Sequence, residues 1–112
     1  MMLQFIAGSL KKQNYEVLTA SDGKQAIELM ESERPDLIVS DVLMPFLTGI
    51  ELSEYVRHKL RWTTPILLIS GAGQRKMVLD SLISGANNFI RKPIDITVLL
   101  FWVKCMLLYA RF

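Results

Sequence analysis

The chain has 112 residues, of which 51% are apolar and 21% charged, so it is globular rather than disordered. We expect residues 1–112 to form a single domain. The net charge of +2, carried by scattered basic residues, does not favour nucleic-acid binding, and we expect none.

A single cysteine, Cys105, excludes an internal disulfide and favours a reducing, cytoplasmic location. Lys11 and Lys12 follow the N-terminal apolar residues instead of preceding them. A signal peptide has the opposite order, so we expect none.

The first part of the chain predicts a helix, a strand and a second helix. Apolar residues recur at helical spacing over 1–13, and residues 15–20 (YEVLTA) have the β-branched content of a strand. Asp22 and Gln25 resemble a capping box for a helix that ends before Pro35.

The stretch that follows has the pattern of a buried strand with a carboxylate at its end. Residues 37–40 (LIVS) form an unbroken apolar run that leads into Asp41, and Pro45 follows soon after. Such runs are typical of strands covered on both faces of a parallel sheet. Ligands bind at the carboxyl edge of such sheets, where an unpaired carboxylate is costly to bury. The alternative is that Asp41 only caps the next turn.

The rest of the chain continues the alternation. Thr48 begins a capping box (T-G-I-E) for a helix to about residue 59, and residues 66–70 (ILLIS) predict a second buried strand. A helix over 75–84, a strand over 88–91 and a final helix capped by Asp95 complete the pattern. Strict alternation of this kind predicts an α/β fold with a parallel sheet and helices on both faces.

Three strand ends carry polar groups that a parallel sheet brings to one edge, namely Asp41, Ser70 and Lys92. This set suits phosphoryl chemistry: the carboxylate can form an acyl phosphate, while the ammonium and the hydroxyl contact its oxygens. The alternative is an ordinary ion pair between Asp41 and Lys92, with a serine that merely ends a strand.

The spacing of these and neighbouring residues resembles the receiver domain of two-component response regulators, the CheY-like family, from residue 1 to about 100. The resemblance implies a flavodoxin-like, doubly wound parallel sheet of strand order 2-1-3-4-5. The residues that carry it are Asp41 with Met44-Pro45, Thr48-Gly49, Ser70 with Gly71-Ala72, Gly85-Ala86 followed by Phe89, and Lys92-Pro93.

The resemblance also implies roles for individual residues. Asp41 becomes the phosphoacceptor, Ser70 the switch hydroxyl, Phe89 the aromatic switch and Lys92 the family's lysine, joined to Pro93 by a cis peptide. From the residues alone, Phe89 is more simply a core or edge aromatic. In the family Asp is frequent at the position of Thr48. Thr48 can serve equally as the N-cap of the helix that begins at Gly49.

The chain departs from the family at its beginning, because it lacks the first strand and the acidic pair that ends it. Of the family's Mg²⁺ ligands only the Asp41 carboxylate and the Leu43 backbone carbonyl remain, so we expect Mg²⁺ binding to be weak or absent. Strands 15–20 and 37–40 lose the neighbour between them. The gap requires direct pairing of those strands, a segment of another chain, or residues outside this sequence, and a sequence shortened at its N-terminus is the simplest explanation.

Two further features give expectations. Leu43 and Ala72 stand where family side chains influence the hydrolytic water, and neither can bind water, so we expect slow hydrolysis of an acyl phosphate.

Over 98–110 only Lys104 interrupts the apolar residues, a run too short to predict a membrane span. We expect the last helix to pack against a second copy of the chain. Its contact residues would be Phe101, Trp102, Leu108 and Tyr109.

Our leading hypothesis is a non-enzymatic receiver, phosphorylated on Asp41 by a sensor histidine kinase or a phosphotransfer protein, that signals through protein contacts. The alternative is a pseudo-receiver that serves only as a docking or dimerisation module. A haloacid-dehalogenase-type phosphatase is disfavoured because Leu43 replaces the second Asp that such an enzyme requires.

Overall fold

The computed structural model describes residues 2–71 and 73–109, which form helices packed around a small parallel sheet. A π-helical turn, Tyr55–Lys59, continues the third helix. The α-helices are α1 (Met2–Lys12), α2 (Gly23–Glu33), α3 (Gly49–Glu54), α4 (Arg75–Ile83) and α5 (Ile96–Tyr109). The strands are β1 (Ile38–Asp41), β2 (Leu43–Met44), β3 (Leu47–Thr48), β4 (Ile66–Ser70) and β5 (Asn88–Arg91).

The main sheet has the order β1-β4-β5, and both of its strand pairs are parallel. The strands β2 and β3 form a separate antiparallel hairpin, which the sequence analysis did not predict. All five positions of β4 are buried, as a continuous apolar run on a central strand requires. The predicted α/β fold is confirmed.

Two apolar cores cover the two faces of the sheet, which confirms that helices lie on both sides. One core joins α2, α3 and α4 to the sheet, and its buried members include Met30, Leu52, Val56, Leu68 and Val78. The other joins α1 and α5 to the opposite face through Ile6, Leu10, Leu67, Leu99 and Val103. None of the described helices is long and apolar enough to cross a membrane.

The predicted N-terminal caps are present. Asp22 Oδ1 accepts a hydrogen bond from the Gln25 backbone N–H at 2.8 Å. Thr48 and Glu51 form a reciprocal capping box, and Asp95 accepts from the backbone N–H of Thr97 at 3.0 Å. The predicted caps are therefore confirmed. The sequence could predict them because capping depends on side chains only a few residues apart.

The strand predicted over residues 15–20 is wrong. These residues join no ladder, and β1 pairs only with β4 among the described residues. A cleft of about 460 Å³ is lined by both residues 15–20 and residues 37–41, so the two segments do not pair directly. A segment forms a β-strand only if another strand is hydrogen-bonded to it, however high its β-propensity.

A half-buried arginine in the middle of the π-helical turn contacts the chain close to the amino ends of β4 and β5. The Arg57 guanidinium donates to the backbone oxygens of Gly85 and Trp62 at 3.0 and 2.9 Å and to Asn87 Oδ1 at 2.9 Å. Asn87 Oδ1 also accepts from the Ile66 N–H at 2.8 Å, where β4 begins. Burial lowers the pKa of Arg57 from its usual value.

Gly85→Ala should destabilise the protein by about 1–3 kcal/mol, measured by urea denaturation. Gly85 directly follows Ser84, the C-cap of α4, with a φ of +126°, and an added Cβ would collide with the Arg57 side chain. The matched control is Gly8→Ala in α1, where an added Cβ meets nothing within 4 Å. That change should stabilise the helix by up to about 1 kcal/mol. Equal effects of the two substitutions on the free energy of unfolding would contradict the steric role of Gly85 beside Arg57.

Candidate functional site at the carboxyl edge of the sheet

Asp41 ends β1 and holds a buried, unsatisfied carboxylate oxygen. Its Oδ1 lies 3.2 Å from Lys92 Nζ, within ion-pair distance. The same oxygen is buried and receives no hydrogen bond, so the approach of the ammonium lacks hydrogen-bond geometry. A buried acceptor without a donor is uncommon in folded proteins and marks this carboxylate as a candidate functional group.

Lys92 reaches Asp41 from the residue that directly follows β5. Its backbone N–H donates to the Ser70 carbonyl oxygen at 2.7 Å, which extends the β4–β5 pairing by one residue. The Lys92–Pro93 peptide is cis, as the family resemblance implied. The Lys92 side chain is 41% exposed and that of Asp41 31%, so solvent reaches the pair from one side.

Ser70 and Phe89 occupy different parts of this edge. Ser70 ends β4, one residue beyond the position that pairs with Asp41, and is 4% exposed. Its place on the neighbouring strand puts it at the same edge as Asp41 and Lys92. Phe89 lies inside β5 beside Leu68 and packs half-buried against the core of α2, α3 and α4. These contacts agree with the interpretation, made from the residues alone, that Phe89 is a core aromatic.

The β2–β3 hairpin carries the chain from Asp41 to α3. The Val42 N–H donates to the Ile69 oxygen at 2.9 Å, and the Gly49 N–H donates to the Val42 oxygen at 2.6 Å. A Cβ on Gly49 would lie 3.3 Å from the Val42 Cα and 3.2 Å from Ser81 Oγ, so a side chain there would crowd its neighbours. Thr48 and Gly49 therefore hold the loop beside the site, with Leu43 half exposed on its rim.

Two further residues support the site and were missed in the sequence. Gln74 Oε1 accepts from the Gly71 N–H at 2.6 Å and shapes the turn after Ser70. Ser40 is buried and its Oγ donates to the Asp41 carbonyl oxygen at 2.9 Å. A glutamine three residues after the glycine that follows β4 was a usable signal, whereas Ser40 had none. Ala72 lies outside the described residues.

The residues present fit a Mg²⁺ ion poorly. The described residues contain no group of three His, Cys, Asp or Glu side chains that could hold a metal ion. Asp41 is the only carboxylate of the expected set, and its Oδ1 already faces the Lys92 ammonium. With Leu43 contributing only a backbone carbonyl, the near-octahedral shell of Mg²⁺ would have to come almost entirely from water.

Residues 1–104 match the family described as the response regulator receiver domain. The receiver domain of NtrX from Brucella abortus superposes with a TM-score of 0.85 over 93% of this chain and 88% of that one, at 25% identity. The chain belongs to the response regulator receiver family and is a receiver domain of two-component signalling.

The chain is similar to parts of longer regulators. It is 34% identical over 106 residues to the response regulator ArlR of Staphylococcus saprophyticus, covering 95% of this chain and 47% of that protein. It is 38% identical over 85 residues to the alkaline phosphatase synthesis transcriptional regulatory protein PhoP of Bacillus subtilis, covering 76% and 35%. The chain thus spans less than half of either relative. Receiver domains are signalling modules that interact with sensor histidine kinases or phosphotransfer proteins and generally use Mg²⁺ at the phosphorylation site.

Proposed function

We propose that residues 1–112 act as a single cytoplasmic receiver domain that accepts a phosphoryl group on Asp41. The donor is a sensor histidine kinase or a phosphotransfer protein, and the modified domain signals through protein contacts. The observation that supports this most directly is the buried, unsatisfied Oδ1 of Asp41 with the Lys92 ammonium 3.2 Å away.

The chemistry follows from these two groups. An Asp41 oxygen attacks the phosphorus atom, an O–P bond forms, and the bond from phosphorus to the donor's leaving group breaks. Lys92 then balances charge on the phosphoryl oxygens, which cost less to hold beside an ammonium than alone. The Ser70 hydroxyl donates to one of these oxygens, and Phe89 shifts its packing in response.

Incubation with acetyl phosphate and Mg²⁺ should add the mass of one phosphoryl group to the parent protein and none to Asp41→Asn, measured by intact-mass spectrometry. Lys92→Met should slow labelling about 10- to 100-fold, because it removes the cation that stabilises the transferring group. Lys76→Met, on the exposed start of α4, should label like the parent.

Labelling of Asp41→Asn would show that a residue other than Asp41 accepts the phosphoryl group. An unlabelled parent would contradict phosphotransfer and favour a docking or dimerisation module. Because few metal ligands remain, we expect the labelling yield not to saturate with Mg²⁺ at millimolar concentrations.

Once formed, the acyl phosphate should hydrolyse slowly, because the half-exposed Leu43 cannot orient an attacking water. Leu43→Gln supplies an amide at this position and should shorten the lifetime severalfold. The decay is followed by intact mass after removal of acetyl phosphate, with the exposed Leu79→Gln as control. A parent lifetime of seconds would refute the expectation.

We further propose that the chain forms a homodimer through the outer face of α5. Leu99, Val103 and Met106 bury the inner side of this helix, whereas Phe101 remains 60% exposed. Its ring packs edge-on against the half-buried Trp102, with 5.8 Å between centroids. The exposed apolar residues of α5 that a second copy would cover are Val98, Phe101 and Leu108, while the side chain of Tyr109 lies outside the described residues.

Phe101→Lys should convert the dimer to a monomer, because a charge at the centre of an apolar interface is costly to desolvate. Light scattering at micromolar concentration measures the mass. Ile83→Lys, which changes an 85% exposed apolar residue on α4, should remain dimeric. A monomeric parent at the same concentration would overturn the proposal.

A further inference from the structure

Phe46, at the tip of the β2–β3 hairpin, combines two features that are unfavourable in a folded chain. Its φ of +68° lies in the left-handed region, where a bulky side chain is a genuine outlier. Its side chain is also 86% exposed, the highest value among the exposed large apolar residues that the structure describes. Packing within the domain therefore does not compensate for the backbone strain, and strain of this kind clusters at functional sites.

The neighbours of Phe46 fix it in this conformation. The Pro45 oxygen accepts a hydrogen bond at 3.0 Å from the N–H of Gly23, the first residue of α2. On the other side, Leu47 is 9% exposed and packs in the core of α2, α3 and α4. Leu47 lies so close to α2 that an added Cβ on Gly23 would collide with it. Because both neighbours are anchored, the exposed ring belongs to a fixed turn and not to a loose loop.

The hairpin begins directly after Asp41, so its tip lies close to the proposed phosphoacceptor. The two residues of β2 separate Val42 from the turn, and a strand rises about 3.3 Å per residue, so the tip lies roughly 10 Å from Val42. Leu43, at the base of the hairpin, is 51% exposed. Leu43 and Phe46 thus form an apolar rim that extends from the site to the tip of the hairpin.

The size of a protein interface decides which donors would cover this rim. A typical interface buries about 800 Å² per partner, which is a disc of roughly 16 Å radius, so a protein centred on Asp41 would reach Phe46. Acetyl phosphate is far smaller and needs no contact with the hairpin. A second copy of the chain on the same rim would cover Asp41 and exclude every donor, which would contradict the proposed function.

We propose that Phe46 is the residue by which this domain recognises its protein donor, through insertion into an apolar recess beside the donor's phosphohistidine. This inference rests on the proposed phosphorylation of Asp41. Because the tip lies away from the reacting atoms, Phe46 affects which donor binds and not the chemical step. An aromatic side chain buries a large apolar area, and a turn that is already fixed loses little conformational freedom on binding.

The test compares a protein donor with a small donor that has the same phosphorus–nitrogen bond. The small donor is phosphoramidate. The protein donors are the purified sensor histidine kinases of the source organism, each labelled on its histidine with radioactive ATP, and the one that labels the parent fastest is used. Phe46→Asn, which tolerates a left-handed backbone, should be labelled by this kinase about tenfold more slowly or worse. The loss should appear as a higher KM for the receiver with an unchanged rate at saturation, because a binding contact is removed.

Three controls separate recognition from damage to the fold or the site. Phosphoramidate should label Phe46→Asn like the parent, and Phe46→Leu, which keeps an apolar side chain, should retain most of the kinase reaction. Ile83→Asn changes an 85% exposed apolar residue at the end of α4, and the kinase should label it like the parent. The urea midpoint of Phe46→Asn should be no lower than that of the parent, because Asn accepts this backbone conformation more readily.

Kinase labelling of Phe46→Asn at the parent's rate would overturn the inference. An equal loss with phosphoramidate would also overturn it, since Phe46 would then support the site itself, and so would a parent that phosphoramidate labels but no kinase does. A parent that neither donor labels would instead refute the proposed phosphorylation of Asp41. A fall from dimer to monomer in Phe46→Asn, measured by light scattering, would show that a second copy covers Phe46 and would refute recognition of a donor.

Discussion

The parallel pairing of β1 and β5 onto the buried strand β4 is the constraint on which the rest of the structure depends. Every residue of β4 is buried, so a one-residue slip on either side would displace apolar side chains from two cores at once. In this register Asp41 pairs with Ile69, the residue before Ser70. It also places Lys92, which follows β5, close to the end of β1. The position of the site is therefore a consequence of core packing.

The ion pair between Asp41 and Lys92 is partly open to solvent, which suits a reacting pair better than a structural one. An exposed ion pair contributes about 1 kcal/mol or less to folding, so stability alone gives little reason to place it there. The Oδ1 atom accepts no hydrogen bond, whereas the polar groups around it are satisfied: the Ser40 hydroxyl, the Gly71 N–H and the Lys92 N–H each have a partner. This unused acceptor beside an ammonium supports the proposed role of Asp41 as phosphoacceptor.

The unpaired edge of β1 has a consequence for stability. Exposed strand edges pair readily with other chains unless they are covered, and this one lies in a cleft rather than on an open surface. No described strand pairs with this edge, and unpaired backbone groups inside a protein lower its stability.

The sequence by itself determined the elements whose signals are local. Helix caps at Asp22, Thr48 and Asp95, the buried strands and the three polar strand ends could all be predicted, because each depends on a few adjacent residues or on the rule that parallel strands end together. The structure alone decided what long-range pairing controls. Residues 15–20 have strand propensity but no neighbour, so they form no strand, and the hairpin after Asp41, the Arg57 contacts and the support from Gln74 and Ser40 appear only once the chain is packed. A ladder or a buried hydrogen bond needs two partners from distant parts of the chain, and a sequence pattern specifies only one of them.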